Sequence, residues 1–113
     1  MKKTDKKLDH QIRARLTDVC EQALETVDGF EWLTHTVNYA NVSSSLNIIC
    51  VFTTEEQCHH ASNSLAGQQL VLNIIDELTT LNIQLKKPNQ QIQFDSEQAC
   101  ENQSNGNWAK HLQ

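Results

Sequence analysis

The chain has 113 residues, 9 Lys+Arg against 14 Asp+Glu, 38% hydrophobic residues and a formal net charge of -5, which suits one soluble domain with a modest core and leaves no room for a second. Its longest apolar run, Ile48 to Phe52, is far short of the roughly 20 residues that a membrane-spanning helix needs. The N-terminal lysines are followed by Asp9, His10, Gln11 and Arg13 where a secretory leader would carry its apolar region, so a cytoplasmic location without membrane contact is expected.

From about Asp5 to Val27, the residues Leu8, Ile12, Leu16, Val19, Cys20, Ala23, Leu24 and Val27 recur at steps of mostly three and four. That spacing predicts a helix with one apolar stripe, with Thr4 as N-cap and Asp28-Gly29 as the stop. Phe30 to Tyr39 is rich in aromatic and β-branched residues, and the polar break Asn41 to Ser45 separates it from Leu46 to Thr53. Two strands joined by a loop follow, with the second central because its apolar residues point to both faces. Thr53 to Glu56 reads as a turn, after which Ser62 or Ser64 opens a helix to about Leu81, with Gly67 weakening its first turns or marking a break between two helices. Ile83-Gln84-Leu85 and Gln91 to Phe94 alternate with period two around Lys86-Lys87-Pro88-Asn89 and read as two more strands. Asp95 or Ser96 then opens a short helix, and Trp108 to Leu112 is a last helical turn anchored by Trp108 and Leu112.

The expected fold is therefore α+β: a two-layer α-β-β-α-β-β-α arrangement with a small, mostly antiparallel sheet and helices on one face. It is a single domain over residues 1–113, and residues 1–7 form a basic arm, flexible or helical.

Charge is distributed unevenly. Six of the nine basic residues, Lys2, Lys3, Lys6, Lys7, Arg13 and Arg15, fall in the first fifteen positions, opposed there only by Asp5 and Asp9, and no Lys or Arg occurs between Leu16 and Leu85. Cations at a helix N-terminus oppose the helix dipole at a cost of about 0.3 to 1 kcal/mol each. One reading is a phosphate-binding arm that neutralises a nucleic-acid backbone without reading sequence. The other is a solvated terminus, or one that folds back on the acidic body or on a partner.

Cys20, Cys50, Cys58 and Cys100 are expected to be free thiols, since no pair has Cys-x-x-Cys spacing and no leader directs the chain to an oxidising compartment. The densest reactive cluster is Glu55-Glu56-Gln57-Cys58-His59-His60. On a helix, carboxylate and imidazole at i, i+4 would face one another, so Cys58, His59 and His60 are weak candidates for a metal site if His35 converges on them. A polar surface turn explains the same residues without chemistry. Ser43-Ser44-Ser45 lacks a nucleophile elbow or a phosphate-cradling glycine loop, and capping explains Asp95 and Ser96. No catalytic residue and no cofactor is assigned.

The basic opening with Arg13-Ala14-Arg15-Leu16-Thr17-Asp18-Val19-Cys20, then Gly29-Phe30-Glu31-Trp32-Leu33-Thr34-His35, Cys50-Val51-Phe52, Asp95-Ser96-Glu97 and Gly106-Asn107-Trp108, resembles a family of short proteobacterial proteins often labelled Fis-type transcriptional regulators. The resemblance extends over nearly the whole chain, and any regulatory role that goes with the label would fall to the basic arm or to a protein partner. Fis proteins end in a basic helix-turn-helix, whereas the C-terminal third here holds only Lys86, Lys87 and Lys110 and reads as strands and a short helix, so no DNA-reading residue is carried over. The expected function is a noncatalytic bacterial interaction or regulatory module, with a protein partner or a second copy as ligand. The alternatives are a regulator binding nucleic acid through the basic arm and a small metal- or thiol-dependent enzyme.

Overall fold

A computed structural model describes residues 2–112. Helix α1, Lys3–Thr26, starts two residues before the predicted position: Lys2 is its N-cap without a side-chain bond, and Thr4 lies inside the first turn. The basic arm is thus, from Lys3 on, the opening turns of a long helix, and Met1 lies outside the described residues. Ile12, Leu16, Val19 and Ala23 are its buried stripe, and the chain turns at Gly29, whose φ of +81° is a conformation that favours glycine.

Strands β1, Phe30–Thr36, and β2, Asn47–Phe52, pair antiparallel as expected. The intervening segment is not entirely loop: α2, Val42–Ser45, makes one turn, and the Ser45 hydroxyl ties back to both backbone groups of Asn38. Where the sequence suggests only a turn after β2, the chain forms α3, Glu55–Ser62. A reciprocal capping box starts it, with the Thr54 hydroxyl accepting from the Gln57 amide and the Gln57 side chain accepting from the Thr54 amide. Helix α4, Leu65–Thr79, is capped by Ser64, so the break between the two helices falls at Asn63-Ser64 rather than at Gly67. Gly67 is inside α4 and in tight contact with α3: a Cβ there would stand 1.8 Å from the Ala61 carbonyl oxygen.

The predicted strand at Ile83-Gln84-Leu85 does not form. Asn82 takes a positive φ of 61°, and the Ile83 amide returns to the Leu78 carbonyl. Ile83 and Leu85 are buried while Gln84 is exposed, so the alternation comes from an extended segment lying on the core without strand pairing. After α5, Pro88–Gln91, comes β3, Ile92–Ser96, which runs parallel to β2. The sheet is therefore three-stranded and mixed, in the order β1-β2-β3, instead of four-stranded and mostly antiparallel. Parallel strands need a crossover, and α3 with α4 supplies it. The protein is an α+β fold.

Helices cover both faces, not one. Phe30, Ile48, Cys50, Phe52 and Ile92 pack with the buried stripes of α1 and α4 into the main core. A bulge at Glu31, between the Phe30 and Trp32 pairings, turns Trp32 onto the opposite face, opposite Val51 and, across it, in register with Asp95. There α6, Glu97–Ser104, and α7, Trp108–His111, close the sheet. Trp108 meets Trp32 edge to face at 4.9 Å, and His111 bonds Asp95.

Candidate functional site

The outward face of α1 carries the most exposed charge. Lys2, Lys3, Lys6 and Lys7 are exposed, and among the described residues none forms an ion pair. The two arginines differ. Arg13 donates from Nε to Asp9 at 2.8 Å, and Arg15 lies 3.7 Å from Glu77 on α4. Of the six cations singled out by the sequence, the lysines form one free cluster and the arginines brace the helix against its own side chains and its neighbour.

Behind Arg13 a groove of about 410 Å³ runs between α1 and β1, lined by Leu16, Thr17, Cys20, Leu33 and His35 among others. At its end the Asp9 carboxylate is fully engaged: one oxygen takes Arg13, and the other accepts the Tyr39 hydroxyl and lies 3.7 Å from His35 Nε2. The Tyr39 bond, then Arg13, hold Asp9 below the usual carboxylate range. Burial, then Asp9, push the Tyr39 phenol up to about 12, and burial, followed by the Arg13 charge, lowers His35. The phenol is therefore protonated and the imidazole neutral near pH 7. Cys20 in the same groove has its thiol raised by burial, which is the reverse of what a nucleophilic thiolate needs. Asp9, Tyr39 and His35 meet from three separate segments, and only His35 had drawn attention in the sequence.

Cys58, His59 and His60 lie on α3. His59 and His60 are exposed beside Asp28, Glu56 and Asn63, and Cys58 is half-buried with its thiol raised by burial and by the Asp95 charge. His35 is held at Asp9 instead of converging on them. Among the described residues no group of three or more His, Cys, Asp or Glu side chains is placed to hold a metal ion. All four cysteines are free, as expected.

The C-terminal helices build a further cluster that sequence reasoning did not identify. Glu97 bridges two indoles, accepting from Trp32 Nε1 at 2.6 Å and from Trp108 Nε1 at 3.2 Å. His111 lies between Asp95, at 2.9 Å from Nε2, and the Ser104 hydroxyl, at 3.2 Å from Nδ1. With the Nε2 proton directed at the carboxylate, Nδ1 accepts from Ser104, giving the residue order of a charge-relay triad. Its setting is wrong for acyl transfer. Ser104 is buried and ends α6, so its hydroxyl sits at the carbonyl end of the helix, where a developing oxyanion is disfavoured. The arrangement latches α7 onto α6 and β3.

No family model matches the chain, and neither a curated protein nor a solved structure matches it.

Proposed function

We propose that the protein is a noncatalytic interaction module of the bacterial cytoplasm that works through the outward face of α1. The supporting observation is the contrast in how polar groups are used. Asp9, Glu97, Asp95 and His111 are each bonded to other side chains of the same chain, and Cys50 and Cys100 are fully buried. The lysines at the start of α1 and Asp18, Glu21 and Glu25 further along it are exposed, and no ion pair within the described residues engages them. Charge left unpaired on a long, rigid helix is available to a partner.

The experiment that tests this reading is labelling with a fluorophosphonate, which reports an activated serine, on the wild-type protein and on Ser104→Ala. No adduct is the expected result. A stoichiometric adduct on the wild type that disappears in Ser104→Ala would make Asp95-His111-Ser104 catalytic and overturn the proposal.

A second reading, non-specific nucleic-acid binding by a regulator, is supported by the exposure of Lys2, Lys3, Lys6 and Lys7 together at one end of α1. It predicts anisotropy-detected binding to generic DNA that weakens steeply between about 50 and 200 mM salt and is lost when the four lysines become Gln.

A further inference from the structure

The partner of this face can be read from the order of its charges. Along α1, Lys3, Lys7, His10, Ala14, Asp18, Glu21 and Glu25 follow one another at steps of four and three, so they share one side of the helix, about 100° per residue apart. Every one of them is exposed. That side is cationic in its first half, small and uncharged at Ala14, and anionic in its second half.

This order is unfavourable for the isolated helix in two ways. Lysines stand at the positive end of the helix dipole and carboxylates towards the negative end, opposite to the favoured placement. Lys3 with Lys7 and Glu21 with Glu25 are also like-charged pairs at i, i+4, which repel. No ion pair within the described residues relieves either cluster, since the ones formed by α1 side chains use Asp9, Arg13 and Arg15.

A second α1 laid antiparallel on this side removes both conflicts. Turned about a twofold axis at Ala14, it sets Lys3 opposite Glu25, Lys7 opposite Glu21 and His10 opposite Asp18, each pairing occurring twice by symmetry. The two dipoles run in opposite directions. At the axis, Ala14 faces Ala14, and small residues permit a helix separation near 8 Å. The matched stretch is about 33 Å long at 1.5 Å per residue, and the flanking Leu24, 54% exposed, adds apolar surface. From this self-complementarity we infer that the protein forms a homodimer through antiparallel pairing of α1, with electrostatic register centred on Ala14. The inference rests on the outward face of α1 being the working surface, but its failure is separable. Nucleic-acid binding by a strictly monomeric chain would defeat the dimer alone, and a Ser104 adduct would defeat the noncatalytic reading alone.

Sedimentation velocity of the full chain at about 50 and 300 mM salt tests it, because the Debye length falls from about 14 to about 6 Å over that range and the attraction between exposed charges weakens with it. The expected result is a dimer at low salt whose dissociation constant rises at least about tenfold at high salt. Lys3→Glu/Lys7→Glu and Glu21→Lys/Glu25→Lys should each be monomeric, while their equimolar mixture forms a heterodimer tighter than the wild-type dimer. Ala14 is exposed, so Ala14→Arg leaves the core untouched and should abolish pairing with an unchanged circular dichroism spectrum, which guards against misfolding of the charge-reversal variants. A wild-type monomer at low salt, a dimer that survives Ala14→Arg or either reversal, or a mixture that stays monomeric would each overturn the proposal.

Discussion

Replacing Glu97 with Gln tests how the C-terminal helices are held on the sheet. The carboxylate accepts from the indole N–H of Trp32 at 2.6 Å and of Trp108 at 3.2 Å, and an indole nitrogen can only donate. An amide keeps one accepting oxygen, so the shorter bond to Trp32 survives in weaker, uncharged form while the new NH2 faces the Trp108 N–H, donor against donor. One charge-assisted bond is lost and a second is reduced. Charge-assisted bonds contribute about 1.5 to 3 kcal/mol when buried, and Trp108 is only half-buried, which lowers the expected cost to about 1 to 2 kcal/mol. The cost should appear as local release of α7, because the main core on the other face of β2 does not involve Glu97. These are the only two tryptophans in the chain, so intrinsic fluorescence reads this contact directly. Glu97→Gln should red-shift emission and increase iodide quenching with little change in the urea midpoint, and a double-mutant cycle with Trp108→Phe, read on the local opening of α7 by native-state hydrogen exchange, should give a coupling of about 1 kcal/mol. Unchanged emission and quenching, with no coupling, would refute the reasoning.

Three other predictions follow from the α1–β1 groove and the α3–α4 junction. Ultraviolet titration of Tyr39 should show a midpoint raised towards about 12, and Asp9→Asn should bring it back towards the ordinary value near 10; an unaltered midpoint would separate the phenol from Asp9. His35 is held below its usual value by burial first and by the Arg13 charge second, so the unfolded chain takes up that proton first. Its contribution to stability is then complete above about pH 6.5 and declines as pH falls through that value towards the folded one. Urea midpoints at about pH 7.5 and 5.5 should diverge less in His35→Gln than in the wild type. Gly67→Ala would drive a Cβ to 1.8 Å from the Ala61 carbonyl oxygen, a backbone atom that cannot yield without moving α3, and should cost about 2 to 3 kcal/mol in chemical denaturation; a loss below about 1 kcal/mol would mean that the junction is pliable.

Local patterns in the sequence determined much of the fold. The stripe Ile12, Leu16, Val19 and Ala23 specifies α1 because burial on one side needs only a 3.6-residue period, and the apolar residues Ile48 to Phe52 mark β2 as central because they point to both faces. The separation of free lysines from an acidic body was equally legible, since it is a property of order along the chain. What needed the tertiary structure was everything set by partners distant in sequence. The alternation at Ile83 and Leu85 is that of buried residues in general, and only the absence of a neighbouring strand shows that it is not β structure. The Thr54/Gln57 box had the local signature of a helix start, but the short α3 it opens has one buried residue, Ala61, and hence no apolar stripe to announce it. The bulge at Glu31 moves Trp32 to the second face, and with it comes the cluster of Glu97, Trp108, His111 and Asp95. Single bonds across large sequence separations, such as Trp32 to Glu97 and Tyr39 to Asp9, leave no periodic trace, because a hydrogen bond fixes two atoms in space without constraining the residues around them. Composition and spacing therefore established which residues are buried and where charge accumulates, while packing alone decided which polar groups are consumed inside the protein and which remain for a partner.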